Sequence, residues 1–153
     1  MDPRSIELLE LPAVRARLAA EAAFPAGQDL ALAVAPSRDR REVERLQAET
    51  LEALDLARLG VSPPAGAHDV RAAARAAQRG AALDPEDLEA VLVTVEVALE
   101  VRAALLAHVE DAPLMAGHAG CIDALALRQL EGPLARSLDR HGGLLDTATP
   151  ELA

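Results

Sequence analysis

The segment from Asp84 to Val109 constrains the fold more than any other part of this sequence. Asp84 is a preferred N-cap residue, Pro85 suits the first helical position, and acids at 86 and 87 favour the positive end of a helix dipole. Apolar residues then recur at helical spacing: Leu88, Val91, Leu92, Val95, Leu99, Leu106 and Val109. The pattern predicts one long helix with a continuous apolar stripe, which requires other helices to cover it.

Helix starts and stops of the same kind recur along the chain. They predict helices at about 3–10, 12–24, 27–34, 39–59, 69–79, 114–117, 122–130 and 133–140. Asp69 is the predicted N-cap of the fifth of these and Gly80 its C′ residue. In the helix at 39–59 one stripe holds Val43, Leu46, Thr50, Leu54 and Ala57. We therefore predict an all-α fold, an irregular helical bundle that forms a single domain over residues 1–153.

The apolar residues of this chain are almost all aliphatic. Hydrophobic residues make up 51% of the sequence but aromatic residues only 1%, so the core has to be built from Leu, Val and Ala. Small side chains allow helices to approach one another closely, and both Ala and Leu favour helices.

Charge and cysteine content limit the classes of function. The net charge is −10, with 11 Arg against 12 acids in residues 1–80 and 4 Arg against 13 acids in residues 81–153. This balance argues against tight, independent binding of nucleic acid, which depends on neutralising phosphates. A single cysteine, Cys121, excludes an internal disulfide, and no stretch resembles a signal peptide or a membrane span. We therefore expect a cytoplasmic protein with no membrane partner.

Motifs for catalysis are missing from the sequence. There is no Lys, which rules out a Walker A phosphate loop, and there is no G-x-S-x-G or H-E-x-x-H motif. His108, His118 and Cys121 are the only cluster of metal-ligand types. No fourth ligand is evident, so we predict surface or partly buried residues there and treat a small metal-dependent enzyme as the weakest hypothesis. We expect no catalytic residue, cofactor site or metal site within this chain.

Arg71, Arg75 and Arg79 recur at every fourth position and are expected to share one helix face. This row could contact nucleic-acid phosphates. The favoured interpretation is a solvated face that pairs with acids of a neighbouring helix. The adjacent His68 and Asp69 could suggest an acid/base pair, but the capping role accounts for Asp69 without catalysis.

The last residues contain a helix start that the sequence does not continue. Thr149 suits an N-cap, Pro150 the first helical position and Glu151 the first turn. Because three residues cannot sustain a helix, we expect this chain to be a piece of a longer protein.

Four segments, taken in order, carry a resemblance to a known family. They are residues 42–50 (EVERLQAET), 68–71 (HDVR), 79–88 (RGAALDPEDL) and 143–152 (GLLDTATPEL). Together they resemble the N-terminal region of the bacterial MutS-II family, over essentially the whole chain. One departure is Val70, which stands where the wider MutS pattern often has Glu before the Arg.

The resemblance implies that this chain is the first half of the helical core, or lever, that joins an ATPase domain to a clamp. ATP and Mg²⁺ would then bind elsewhere in the parent protein, which would also carry the clamp and an Smr nuclease domain. The implied parent is a homodimer that acts on branched DNA to suppress homologous recombination, and in some bacteria rescues collided ribosomes.

Two interpretations from different classes stay open at this point. One is the non-catalytic part of such an ATPase and endonuclease, which has the rest of its own chain as partner. The other is a stand-alone all-α adaptor that binds a protein through an exposed Leu/Val groove. If the family interpretation holds, uncovered apolar surface predicts self-association as a dimer, through the Asp84–Val109 stripe or the helices after Pro113.

Overall fold

A computed structural model describes residues 10–62 and 64–138 of the chain. Within them lie seven helices: α1 (Leu11–Ala20), α2 (Pro25–Ala33), α3 (Arg40–Arg58), α4 (Arg71–Gln78), α5 (Pro85–Ala107), α6 (Pro113–Ala119) and α7 (Ala124–Ser137). These ranges contain no strand, so the predicted all-α class is confirmed. The helix predicted at about 3–10 and the helix start at 149 fall almost entirely outside the described residues.

The strongest predicted helix forms where the sequence places it. The Asp84 carboxylate accepts a hydrogen bond from the Asp87 amide at 3.1 Å, and Pro85 takes the first position of α5. The helix ends at Ala107, so Val109 lies beyond it. N-cap and first-turn preferences act locally, which is why the start of α5 could be predicted from sequence.

The single stripe predicted along α5 is too simple. Both α6 and α7 pack along this helix, Val95 and Leu105 are buried, and residues 91–94 are all partly covered. Near the C-terminal end of α5 the stripe is not covered, because Leu106 is exposed. A helix contacted by several others is covered on more than one side.

The apolar stripe predicted along α3 is not the side of the helix that the described residues bury. The helix begins after Asp39, whose carboxylate accepts from the Arg41 amide at 2.9 Å, but Leu46 and Leu54 of the predicted stripe are exposed. Leu56 is the buried residue, at 4% exposure. Short α6 is the helix that packs on α3, and it selects the side of α3 that carries Leu56.

The core lies where α3, α5 and α6 meet. Its buried members are Leu56, Leu105, Ala112 and Ala119, and partly buried Val61, Val101 and Met115 pack against them. The small side chains at 112 and 119 bring α6 close to its neighbours, as the Ala-rich composition predicts. A mostly apolar pocket of about 400 Å³, partly open to solvent, lies beside Leu56 and Leu105.

The break predicted before Pro133 does not occur. α7 runs from Ala124 through Pro133 to Ser137 as one helix. A proline inside a helix removes one backbone hydrogen bond and crowds the preceding turn, which destabilises the helix. On either side of Pro133, Leu127 and Leu134 line an apolar pocket together with residues of α4 and α5. Packing of α7 against α5 offsets the local cost of the proline.

The first two helices of the described chain form a hairpin, residues 11–33, that packs differently from the rest. Pro25 opens α2 at its first position, two residues earlier than predicted, and α1 and α2 pack on each other. The hairpin buries only Ala19 and Ala31. Its large apolar residues Val14, Leu18, Leu30 and Leu32 are exposed.

Candidate functional site

Helix α4 places Arg71 at its first position. The N-cap is Val70 and not Asp69 as predicted, yet the Asp69 carboxylate still accepts from the Arg71 amide at 3.1 Å. At the other end Gly80 adopts φ +76°, the left-handed conformation expected of a C′ residue. Local sequence signals therefore fix both ends of this short helix to within a residue.

The Arg71 guanidinium holds two carboxylates at once. Nε donates to Asp69 Oδ1 at 2.7 Å and Nη2 donates to Asp69 Oδ2 at 2.6 Å, which is a bidentate arrangement. Nη2 also donates to Asp29 Oδ2 of α2 at 2.8 Å. Asp69 thus fixes the orientation of the guanidinium, and Asp29 brings the hairpin to it. We call Arg71, Asp69 and Asp29 the Arg71 cluster.

The two members of the bidentate pair keep each other charged. Hydrogen bonds from the Arg71 side chain, and next from its backbone amide, lower the pKa of Asp69 from 3.8 to about 2. Hydrogen bonds to Asp69 and then to Asp29 raise the pKa of Arg71 above its ordinary value. A phosphate approaching Arg71 would therefore have to compete with two carboxylates.

The row of three arginines does not form one uniform face. Arg75 lies in α4, whereas Arg79 is the C-cap residue and therefore ends the helix. Both are exposed, and within residues 10–62 and 64–138 neither forms an ion pair. The pairing with an acid of a neighbouring helix is thus present at Arg71. Contact of Arg71, Arg75 and Arg79 with nucleic acid stays a prediction.

The histidines and the cysteine of the possible metal cluster have separate surroundings. His108 Nδ1 lies 3.5 Å from Asp111 Oδ2, and His118 Nε2 lies 3.3 Å from Glu49 Oε1. Cys121 is free and exposed in the turn after α6. In the described part of the chain no three side chains of metal-ligand type come together.

A polar contact between α3 and α6 could not be found by motif searches. Glu52 accepts from the Met115 amide at 2.8 Å, in the first turn of α6, whose N-cap residue Ala112 has no capping side chain. Glu49, one turn earlier and only 16% exposed, pairs with both Arg45 and His118. A signal did exist in the sequence, because the helix at Pro113 lacks a capping residue of its own.

The fold and these clusters define a class: a helical module whose charged side chains join one helix to another. None of the described helices has both the length and the apolar character needed to cross a membrane. No family model matches the sequence.

Comparison with known proteins gives the family. "Endonuclease MutS2" of Symbiobacterium thermophilum is 33% identical over 100% of this chain, and the match covers 19% of that protein. The protein of the same name from Thermomicrobium roseum is 37% identical over 97% of the chain and 19% of its own length. "Putative endonuclease MutS2" of Bacillus subtilis is 28% identical over 99% of the chain.

These matches show that the chain belongs to the MutS2 family and corresponds to the N-terminal region of its members. The chain spans about a fifth of the length of the relatives it matches. The resemblance drawn from the four ordered segments is therefore confirmed.

Proposed function

We propose that this chain is the non-catalytic, N-terminal structural and assembly module of a MutS2-like ATPase and endonuclease. The observation that carries the proposal is the match along the whole chain to the N-terminal region of proteins named endonuclease MutS2. Rigid helices suit this role, because α5 spans the described core and contacts both α6 and α7.

The chemistry of the parent protein is assigned to the remainder of its length. Without Lys the chain cannot supply a Walker A loop, so ATP and Mg²⁺ are expected to bind elsewhere in the parent. Among the described residues, His118–Glu49 and Glu52–Met115 join α6 to α3, His108 contacts Asp111 locally, and no three side chains of metal-ligand type come together. This arrangement supports a mechanical role for the module.

For the parent we propose a homodimer that acts on branched DNA and so suppresses homologous recombination, with rescue of collided ribosomes as the second candidate. Direct contact of this module with nucleic acid is expected to be weak, because its net charge is −10 and Arg71 already holds two carboxylates. The remaining candidate contacts are Arg75 and Arg79.

A chimera tests the proposed role. The N-terminal region of the Thermomicrobium roseum relative is either deleted or replaced by this chain, and ATP hydrolysis and cleavage of branched DNA are measured. We expect the deletion to lose activity and the replacement to restore it, while the isolated chain neither hydrolyses ATP nor cleaves DNA. Turnover by the isolated chain above a buffer blank, or a deletion as active as the intact relative, contradicts the proposal.

The exposed apolar residues of the hairpin favour a stand-alone adaptor as the second candidate. Leu30 is 72% exposed, and Val14, Leu18 and Leu32 of the same hairpin are also exposed. An adaptor of this kind would not restore activity to the chimera, so the same experiment separates the two functions.

A further inference from the structure

The hairpin formed by α1 and α2 has little contact with the rest of the described chain. The two helices pack on each other, and no other described helix packs closely on either. Among hydrogen bonds and ion pairs within residues 10–62 and 64–138, only the pair between Asp29 and Arg71 joins the hairpin to a later helix. Within the described residues, few interactions therefore hold the hairpin in its position on the core.

The link between hairpin and core, residues 34–39, is held by a hydrogen bond at each end. Arg15 of α1 donates from Nε to the Val34 carbonyl, which holds the end of α2 to the hairpin. On the other side the Asp39 amide donates to the Ser37 hydroxyl at 3.1 Å, immediately before α3. Residues 35–36 lie between these two anchors, and they include a proline, which cannot continue a helix from α2. Of the six residues between α2 and α3, 34–39, only 35 and 36 lie outside the stretches held by these two hydrogen bonds, so they are the expected pivot.

We propose that the α1–α2 hairpin is a hinged arm that pivots at residues 35–36 and is latched to the core by the Asp29–Arg71 ion pair. Asp69 is a positioning residue in this device, because its bidentate contact holds the guanidinium in the orientation that reaches Asp29. The inference goes beyond the proposed function and does not depend on the activity of the parent.

The latch is reversible because both partners are open to solvent. The Arg71 side chain is 50% exposed and the Asp29 side chain 58% exposed. Ion pairs of this kind are weak and are screened by salt, so high ionic strength shifts the arm towards the released state.

Distance measurement between spin labels tests the latch. Cys121 is the chain's only cysteine, and it is exposed in the turn after α6, a helix of the core. Ala23 is exposed at the tip of the hairpin, so the substitution Ala23→Cys provides the second labelling site. We expect a narrow distance distribution at about 0.01 M salt and a broader one at about 1 M, where the Debye length is only a few ångström. Asp29→Asn at low salt should reproduce the high-salt distribution.

Arg75→Gln is the control for a change of charge that leaves the latch intact. It removes a positive charge from α4, one turn after Arg71, and is expected to leave the distribution narrow. Circular dichroism should show unchanged helix content in both variants, because each substitution is at an exposed position. A distribution that Asp29→Asn leaves unchanged, or that Arg75→Gln broadens equally, overturns the proposal.

Discussion

The hairpin of α1 and α2 and the core of α3, α5 and α6 use the same aliphatic residues with different results. In the core, Leu56 and Leu105 are buried together with Ala112 and Ala119. In the hairpin only Ala19 and Ala31 are buried, and Leu18, Leu30 and Leu32 are exposed. Burying an alanine removes little apolar area from water and a leucine removes much more, so the hydrophobic effect stabilises the core far more than the hairpin.

The comparison shows that composition does not decide which part of an Ala/Leu-rich chain is stable. The stability of each part depends on whether its long side chains pack against a neighbouring helix. The long helix α5 packs against both α6 and α7, whereas no other described helix packs closely against the hairpin. We expect single substitutions to have effects that follow this division.

Leu56→Ala is expected to have the largest effect. It removes a buried side chain, 4% exposed, beside an existing pocket, and should lower the free energy of unfolding by about 2–4 kcal/mol. Leu54→Ala, on the same helix but 51% exposed, and Leu30→Ala in the hairpin should each cost less than about 0.5 kcal/mol. Urea unfolding followed by circular dichroism measures all three. Equal losses at 54 and 56 would remove the distinction between the two faces of α3.

Glu52→Ala should cost about 1–2 kcal/mol, because the Met115 amide in the first turn of α6 loses its acceptor. Glu44→Ala is the control: it lies on the same helix, changes helix propensity equally and breaks only the exposed Arg40–Glu44 pair. Thermal unfolding of both variants checks the difference. A loss at Glu44 as large as that at Glu52 would mean that the contact between α3 and α6 adds nothing.

Gly80→Ala should cost about 1 kcal/mol, because φ +76° is strained for any residue with a Cβ. Gly117→Ala makes the same chemical change inside α6, where a Cβ meets nothing within 4 Å, and should stabilise by up to about 1 kcal/mol. Opposite signs in chemical denaturation are the expected result. The same sign at both glycines would contradict the assigned end of α4, the helix that carries Arg71.

Asp69→Asn should give the smallest effect, and its pH dependence identifies the cause. The pKa of Asp69 is lowered to about 2 in the folded chain from 3.8, so its contribution to stability is complete above about pH 4 and is lost as the pH falls towards 2. The difference in unfolding free energy between wild type and variant should therefore shrink over that range. A difference that stays constant from pH 5 to about pH 2 would exclude the lowered pKa.

Local signals could be predicted from the sequence, and contacts between distant residues could not. The Asp84–Pro85 start of α5 and the Gly80 end of α4 depend on backbone preferences within a few residues, and both are observed. The sequence pattern did not identify Leu56 as the buried residue of α3, because a regular apolar stripe lies on another side of the same helix. Only the packing of α6 distinguishes the two sides.

The Arg71 cluster shows the same limit. The spacing of Arg71, Arg75 and Arg79 predicted that the three arginines share one helix face. The contact between Arg71 and Asp69 joins residues only two positions apart, so it could be predicted from the sequence. The Asp29 contact bridges 42 residues and depends on where the hairpin folds back. Family membership, in contrast, was predictable, because an ordered set of caps and turns along the chain is more specific than any one of them.

Hydrogen exchange followed by mass spectrometry tests the central distinction between hairpin and core most directly. At low salt and neutral pH, amides of α1 and α2 should exchange by local opening, at least about 100-fold faster than those in the middle of α5, which should require global unfolding. Peptides from α3 and α6 should follow α5. Protection of the hairpin equal to that of α5 would show that both regions unfold as one unit, and would contradict the account.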